Sequence, residues 1–369
     1  MEFVEKLSAR IFDSLFECHE DNYDEARFGK PQQTTEGALR ESVKRLFRRA
    51  GFYRKEDVWN AYNRRKWDKW QPHFSELDWL YQKLEDASSK NLLIDLVAYH
   101  IMGARHIRLP LSKPEYWDER RKLRELEEKN GAASIDGGGF ELVLQDLQKI
   151  GYPLKIYLNS EGALMAFVLE QYACPALGIK ARPGDTVIDA GACWGDTALY
   201  FAHRVGDAGE VYCFEFVPEN LSVLRKNLEL NPGLMKRVHV IPSPVWSSTG
   251  VKMNHSSTGP GARAIPGQDL ADCSPASLSI DDLVRSHHLK RVDLIKMDIE
   301  GAEYEALKGA SETLKNYKPD LALCVYHSRE DFTRLARFVD ALGLGYRFSL
   351  GHHTIHGEET VIYASARSV

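Results

Sequence analysis

The chain has no long hydrophobic run, no excess of basic residues and no closely spaced cysteine pair. No stretch approaches roughly 18 consecutive uncharged apolar residues, which argues against a transmembrane helix. The net charge of −5 argues against a general nucleic-acid binder and against a strongly basic membrane-surface protein. The six cysteines form no C-x-x-C motif, and this pattern favours a reducing cytoplasm. The N-terminus has early acids and no apolar core, so we expect no signal peptide.

What the sequence does contain is typical of a globular protein with more than one domain. Its 369 residues exceed the usual size of a single hydrophobic core, and hydrophobic and charged residues make up 43% and 27% of the chain. We expect two domains, a mainly helical one over residues 1–174 and an α/β one over residues 175–369. In the second, alternating strand and helix patterns predict a mostly parallel sheet.

Seven strands are predicted in this second domain, and helices follow most of them. The strands are expected at 186–188, 211–216, 238–241, 292–297, 321–326, 346–350 and 360–364. The helices are expected at 199–205, 218–231, 302–314 and 329–342, and residues 247–274 are expected to form a long loop. No helix separates the last two strands, so the final strand should run antiparallel to its neighbour.

The most informative segment, residues 187–198, reads VIDAGACWGDTA. An apolar run leads to Asp189, and Gly191 and Gly195 then precede an amphipathic segment, so the pattern predicts a strand, a glycine-rich turn and a helix. Glycine permits positive φ and close approach of the backbone to a ligand. The spacing D-x-G-x-x-x-G differs from the G-x-G-x-x-G of dinucleotide sites. It suits S-adenosyl-L-methionine, whose methionine portion carries an ammonium and a carboxylate instead of phosphate.

A second acid supports nucleoside binding. Glu215 ends the second predicted strand, 24 residues after Gly191. A carboxylate at this strand tip can accept hydrogen bonds from both ribose hydroxyls. If only one of the two acids, Asp189 or Glu215, were present, helix capping or pairing with a lysine or arginine would be the better explanation for it. Both acids around one glycine turn favour the nucleoside interpretation.

Another acidic cluster, in the segment KMDIEGAE over residues 296–303, lies where the fourth predicted strand meets its helix. The carboxyl ends of neighbouring parallel strands flank one crevice, so Asp298 and Glu300 should lie near the nucleotide. A carboxylate there can hold a substrate or accept a proton, whereas helix capping is the alternative explanation. Mg²⁺ binding by these two acids and Asp282 stays open, but no spacing demands it, and we predict no metal site.

Three motifs resemble the FkbM family of methyltransferases: VIDAGACWGD at 187–196, FEFVPEN at 214–220 and LIKMDIEGAE at 294–303. The resemblance continues in the family's order over residues 175–366, with SLSIDDL from 277, His327 after the fifth strand and ETVIYA from 359. Cys193-Trp194 departs from the Asn-hydrophobic pair expected in the first motif.

The resemblance implies a Rossmann-like, seven-stranded class I methyltransferase domain that transfers a methyl group from S-adenosyl-L-methionine, usually to a hydroxyl. The acceptor would be a sugar, a glycolipid or a secondary metabolite. The implied cofactor-binding residues are Asp189, Gly191, Ala192, Cys193, Gly195, Asp196, Thr197, Glu215, Phe216, Ser243 and Asp298. Asp298, Glu300 and His327 would face the acceptor, with Asp298 the first candidate for the base and His327 the second.

Several alternatives stay open at this stage. They are N-methylation of a small molecule, a nicotinamide-dependent oxidoreductase, and a non-catalytic cofactor-binding scaffold. The helical domain is expected to cover the acceptor side or to mediate oligomerisation, and a homodimer is open. The His-rich segment 351–359 is more typical of a polar turn than of a metal site.

Overall fold

The computed structural model describes residues 1–25, 59, 61–130, 133–267 and 275–367. They form two compact units. One comprises Met1–Lys113 with Thr354–Glu359, and the other comprises Pro114–His353 with Thr360–Val369. The sequence-based boundary lies after residue 174, whereas the structure groups residues 114–174 with the α/β part of the chain.

The first unit is mainly helical where it is described. Its helices are α1 (Glu2–Ser14), α2 (Ala61–Trp70), α3 (Phe74–Lys83) and α4 (Ala87–Met102). Helix α4 begins where Asp86 caps it by accepting a hydrogen bond from the Ser89 amide at 2.7 Å. No helix in the described part of the chain is long and apolar enough to cross a membrane.

The second unit begins with a helix and a small antiparallel sheet. These elements are α5 (Pro114–Asn130), β1 (Ser134–Asp136), β2 (Glu141–Asp146), β3 (Lys155–Leu158) and α6 (Ser160–Ala163), which continues into a π-helical turn at Leu164–Val168. The strand order is β1-β2-β3. Asn227 accepts a hydrogen bond from the Tyr157 amide at 2.7 Å, and Asn231 accepts one from the Lys155 amide at 3.0 Å. The side chains of Asn227 and Asn231 thereby satisfy the free edge of β3.

The main sheet has the seven strands that the sequence predicts. In chain order they are β4 (Thr186–Ala190), β5 (Glu210–Phe214), β6 (Val238–Ile241), β9 (Leu294–Met297), β10 (Asp320–Cys324), β11 (Arg347–His352) and β12 (Thr360–Ser365). Their spatial order is β11-β12-β10-β9-β4-β5-β6. Strand β12 is antiparallel to both β10 and β11, as predicted, and the other pairs are parallel.

Helices connect the parallel strands. They are α7 (Asp196–Val205), α8 (Pro218–Glu229), α9 (Pro232–Met235), α10 (Ile280–Ser286), α11 (Glu303–Lys308), α12 (Ser311–Tyr317) and α13 (Asp331–Ala341). The helical stretch predicted at 302–314 consists of two helices, because the chain breaks between α11 and α12 at Gly309. A Cβ there would lie 2.2 Å from the carbonyl oxygen of Trp246, so the backbone passes too close for a larger residue.

The segment predicted as a long loop contains a short hairpin, β7 (Met253–His255) paired with β8 (Ala264–Pro266). Residues 268–274 of that segment lie outside the described residues. The carboxyl ends of β4, β5 and β9 lie side by side, since β4 pairs with both of the other strands. This edge is where ligands bind in open α/β sheets, and every predicted cofactor residue lies at the carboxyl end of one of these strands or of β6, or directly after it.

Candidate active site

The turn after β4 requires glycine at two positions. Gly191 and Gly195 have φ values of +89° and +88°, a conformation that residues with a Cβ rarely adopt. A Cβ on Gly191 would also lie 1.9 Å from the carbonyl oxygen of Asp298. The glycine turn therefore contacts the segment after β9, which brings the first and third sequence motifs together.

Other residues of this turn are also constrained. Cys193 has φ of +44°, and burial raises the pKa of its thiol. The Ala192 amide donates to the Phe214 carbonyl at 2.9 Å, which joins the turn to the end of β5. Asp196 begins α7, and burial raises the pKa of its carboxyl to about 6. The turn therefore presents backbone and small side chains at the edge of the sheet.

A buried ion pair between β4 and β9 holds the start of the glycine turn in place. The Nζ atom of Lys296 lies 3.0 Å from Oδ1 of Asp189, and these side chains are 1% and 0% exposed. Thr197 donates to the other Asp189 oxygen at 2.7 Å, and Lys296 also donates to the carbonyls of Ala190 and Gly191. Burial disfavours the ammonium, but neighbouring carboxylates raise the pKa of Lys296 above its ordinary value. Asp189 thus makes the lysine pairing considered as its alternative role, and its contact with a cofactor stays a prediction.

Glu215 follows β5 and is 7% exposed. Its Oε1 accepts hydrogen bonds from the amides of Phe216 and Val217 at 2.6 and 2.8 Å, and Asn220 donates to Oε2 at 3.2 Å. Burial raises the pKa of Glu215, although these donors oppose the shift. About one of its four lone-pair positions is left for a further donor. Phe216 itself is half-buried, and so is Ser243, which lies just beyond β6.

Two loops reach the same end of the crevice. Asn220 forms hydrogen bonds in both directions with the backbone of Gly259, at 2.9 and 3.2 Å, in the β7–β8 connection. Thr258 of that connection donates to the carbonyl of Gly138 in the β1–β2 turn at 2.6 Å. Asn220 therefore links Glu215 to both loops.

Asp298 lies beyond β9 and accepts hydrogen bonds from two tyrosines. Tyr172 donates to its Oδ2 at 2.9 Å, and Tyr326 donates to its Oδ1 at 3.2 Å. Burial alone would raise the pKa of Asp298, but the ammonium of Lys296 and the imidazole of His327 bring it below its ordinary value. The carboxylate is therefore ionised and oriented.

His327 follows β10, and its ring is 3% exposed among three carboxylates. Its Nε2 lies 3.5 Å from Oδ1 of Asp298 and 3.4 Å from Oε1 of Glu300, and its Nδ1 lies 3.1 Å from Oε1 of Glu303. Burial would lower the pKa of His327, but these carboxylates raise it to about 11. Glu300 has φ of +58°, which turns the chain back toward the ring. The structure thus brings the three predicted acceptor-side residues into one cluster.

Sequence reasoning missed Lys296, Glu303, Tyr172 and Asn220 as members of this region. Lys296 carried a usable signal, since a lysine in the middle of the apolar strand LIKM needs a buried partner. Tyr172 carried none, because it comes from a segment 126 residues away in sequence from its partner Asp298.

The histidines of the predicted polar turn have hydrogen-bond partners within their own units. His356 accepts from the Asp24 amide at 3.0 Å and lies 2.8 Å from the hydroxyl of Tyr99. His353 lies 2.8 Å from the hydroxyl of Tyr363. Both ring nitrogens of His356 and Nε2 of His353 are therefore engaged in hydrogen bonds, whereas a metal site would need such nitrogens as ligands.

The comparisons with known proteins agree with the motifs. Residues 189–348 match the family described as Methyltransferase FkbM domain. Methyltransferase sdnD of Sordaria araneosa is 29% identical over an aligned segment that covers 34% of this chain and 60% of that relative, so the chain spans less than two thirds of its length.

The crystal structure of methyltransferase FkbM from Methylobacillus flagellatus KT is similar to this structure, with a TM-score of 0.53. The match covers 90% of this chain and 72% of that chain at 18% identity, and it shows a shared fold. The fold is thus the Rossmann-like methyltransferase fold predicted from the sequence. Residues 189–348 therefore match the FkbM methyltransferase domain, and methyltransferases of that family use S-adenosyl-L-methionine.

Proposed function

We propose that this chain transfers a methyl group from S-adenosyl-L-methionine to a hydroxyl of a sugar, a glycolipid or a secondary metabolite. The observation that carries the proposal is the contact between the glycine turn and the Asp298 segment, where a Cβ on Gly191 would lie 1.9 Å from the Asp298 carbonyl. This contact sets the predicted cofactor turn beside a half-buried, oriented carboxylate. When bound, the cofactor supplies an electrophilic methyl group on a good leaving group.

The residues after β4 and β5 fit such a cofactor. The turn from Gly191 to Gly195 lets a ligand approach the backbone closely, and Glu215 keeps a lone-pair position for a ribose hydroxyl. The residues that would hold the cofactor are Asp189, Gly191, Ala192, Cys193, Gly195, Asp196, Thr197, Glu215, Phe216, Ser243 and Asp298. Asp189 would act mainly by holding the turn through Lys296.

Asp298 would orient the acceptor hydroxyl and take its proton. Tyr172 and Tyr326 donate to the two carboxylate oxygens and fix their directions, and the lowered pKa keeps the group ionised. Methyl transfer from a sulfonium is an in-line displacement, so alignment and exclusion of water are the main tasks of the protein. An alcohol is a poor nucleophile, and a positioned acceptor for its proton assists the reaction.

An aromatic pair supports an acceptor with ring faces. Phe140 is 41% exposed and packs edge-on against Trp194, with ring centroids 5.4 Å apart. Arg263 lies 4.0 Å from Glu300 and is 59% exposed, so it is available to an acceptor's oxygen atoms. Aromatic side chains stack on the ring faces of sugars and polycyclic alcohols, and an arginine donates hydrogen bonds to their oxygen atoms.

The helical N-terminal region, the compartment and the oligomeric state complete the proposal. We assign acceptor selection or oligomerisation to residues 1–174 and the reaction to the cytoplasm. Cysteines with free thiols, at Cys18, Cys193 and Cys213, support a reducing compartment.

The first test is calorimetric titration of the full chain with S-adenosylhomocysteine and, separately, with NADH. We expect the first ligand to bind and the second not to bind. Glu215→Ala should weaken binding, while Glu219→Ala, an exposed acid in the first turn of α8, should not. Binding of NADH would favour the oxidoreductase instead, and binding of neither ligand would favour a protein scaffold.

A second test separates the acceptor side from the cofactor side. Asp298→Asn keeps the size of the side chain and one of its two oxygens, so S-adenosylhomocysteine should still bind, whereas methyl transfer across a panel of glycans and alcohols should be lost. A parallel panel of amines distinguishes O- from N-methylation. Equal transfer by Asp298→Asn and the wild type would refute the role of Asp298 as proton acceptor.

A further inference from the structure

The cluster beyond β9 and β10 contains a buried nitrogen aimed between two carboxylate oxygens. Nε2 of His327, Oδ1 of Asp298 and Oε1 of Glu300 lie within 4.8 Å of one another. Among the described residues, Nε2 of His327 makes no hydrogen bond of acceptable geometry, although the side chain is only 3% exposed. A buried polar nitrogen without such a bond is costly, which points to a ligand.

The spacing of these atoms fits a shared cation. Two ligands about 2.1 Å from a metal lie about 3.0 Å apart in octahedral geometry and about 3.4 Å apart in tetrahedral geometry. The distances from Nε2 are 3.5 Å to Asp298 and 3.4 Å to Glu300. Direct charge-assisted hydrogen bonds are shorter, at about 2.7–2.9 Å. The arrangement is therefore closer to a coordination shell than to a direct ion pair.

Neighbouring side chains orient the three groups as they do around protein-bound metals. Glu303 lies 3.1 Å from Nδ1 of His327, and its own oxygen is fixed by the Ile299 amide at 2.8 Å. Tyr172 and Tyr326 hold the Asp298 carboxylate. A ligating histidine typically directs its second nitrogen to a carboxylate, which leaves the other nitrogen free for the metal.

The local charge also favours a divalent cation. Three carboxylates, those of Asp298, Glu300 and Glu303, surround one imidazole. Lys296 is engaged with Asp189 below the turn. Arg263 lies 4.0 Å from Glu300 and is 59% exposed, so solvent weakens its contribution. One protonated imidazole balances this charge less completely than a divalent ion does.

We propose that Asp298, Glu300 and His327 bind one divalent transition-metal cation in place of the imidazole proton. Imidazole with two carboxylates suits Mn²⁺ or Zn²⁺ better than Ca²⁺, which takes oxygen ligands. The inference deepens the proposed function and rests on it: an ion held by three protein ligands would keep at least one open position, which would take the acceptor hydroxyl and lower its pKa. The hydroxyl proton then passes to Oδ2 of Asp298, the oxygen–methyl bond forms, and the electron pair of the broken methyl–sulfur bond stays on sulfur.

The test is titration of the EDTA-treated full chain with Mn²⁺, followed by electron paramagnetic resonance of the free ion, with Zn²⁺ as competitor. We expect one saturable site per chain. Glu300→Gln and His327→Gln should remove it, and Glu303→Gln should weaken it about 10–100-fold through the orientation of His327. Glu312→Gln, at a side chain that is 70% exposed, should bind like the wild type.

S-adenosylhomocysteine binding on the same samples reports folding and separates the two proposals. Failure of the wild type to bind either ion overturns the metal site, as does unchanged binding in the Glu300→Gln/His327→Gln double variant. Methyl transfer that persists in the metal-free chain also overturns it, while leaving the proposed function in place. A wild type that binds metal but neither binds S-adenosylhomocysteine nor transfers a methyl group would contradict the proposed function instead.

Discussion

Gly191→Ala should disrupt the crevice because two separate constraints meet at this residue. Its φ of +89° costs a residue with a Cβ about 1–2 kcal/mol. The new Cβ would also lie 1.9 Å from the carbonyl oxygen of Asp298, whereas real Cβ contacts essentially never fall below 3.0 Å. The glycine turn and the Asp298 segment must therefore move apart. This change separates the predicted cofactor turn from the predicted proton acceptor.

Gly184→Ala is a matched control for the backbone conformation alone. Gly184 has φ of +86°, and no atom of the described residues lies within 4 Å of the position of a Cβ there. We expect Gly184→Ala to lower the free energy of unfolding by about 1–2 kcal/mol and to leave cofactor affinity unchanged. Gly191→Ala should lower it further. A displacement of about 1 Å should also reduce methyl transfer about 100-fold.

Urea denaturation measures the free energy of unfolding of both variants, and calorimetry with S-adenosylhomocysteine measures their cofactor affinity. If the two alanines destabilise the chain equally and neither changes affinity, the close approach at Gly191 has no role. If Gly184→Ala weakens cofactor binding as strongly as Gly191→Ala, the effect belongs to general destabilisation of β4.

Three further predictions follow from buried ionisable groups. Lys296→Met leaves Asp189 unpaired, so we expect urea denaturation to show a free energy of unfolding that is about 3–5 kcal/mol lower. The double variant Lys296→Met/Asp189→Leu should recover most of this loss. If the destabilisations by the two single substitutions simply add, the ion pair is contradicted. Asp196→Asn removes a carboxyl whose pKa burial raises to about 6, so the charged form costs stability above that pH. At pH 8 we expect Asp196→Asn to raise the free energy of unfolding by at most about 3 kcal/mol, and this increase should shrink as the pH falls from 6 toward 4. An increase that does not change with pH would refute the buried charge of Asp196 as its cause. Burial lowers the pKa of His353 to about 4, so the unfolded chain takes up the proton first and wild-type stability falls between about pH 6.5 and 4. His353→Gln should reduce the pH dependence of the free energy of unfolding by the equivalent of about one proton taken up on unfolding, as measured by denaturation at several pH values. An unchanged pH dependence would exclude His353 as its source.

The main sheet was predictable because its strands are buried and read as short apolar runs between turn residues. All seven predicted strands are present, each within a few residues of its expected bounds. The break at Gly309 was not predictable, because it depends on the carbonyl of Trp246 from a distant segment. The β7–β8 hairpin was missed because three-residue strands in a polar segment carry no periodic signal.

The candidate site was predictable in part. Asp298, Glu300 and His327 were assigned to one side of the crevice from their positions after the fourth and fifth strands, and adjacency of β9 and β10 brings them together. Their roles toward cofactor and acceptor stay predictions. Glu303 lies in the same motif, but its contact with His327 depends on how the segment before α11 turns back.

Local information in the chain settled the strand–turn–helix order, the glycines of the cofactor turn and the acids that follow β5 and β9. These features follow from apolar periodicity and from backbone conformations that glycine adopts most readily. The tertiary structure alone decided that Lys296 pairs with Asp189 below the turn and that Tyr172 orients Asp298. The physical reason is that burial and charge pairing depend on which distant segments meet, and sequence spacing does not encode that distance.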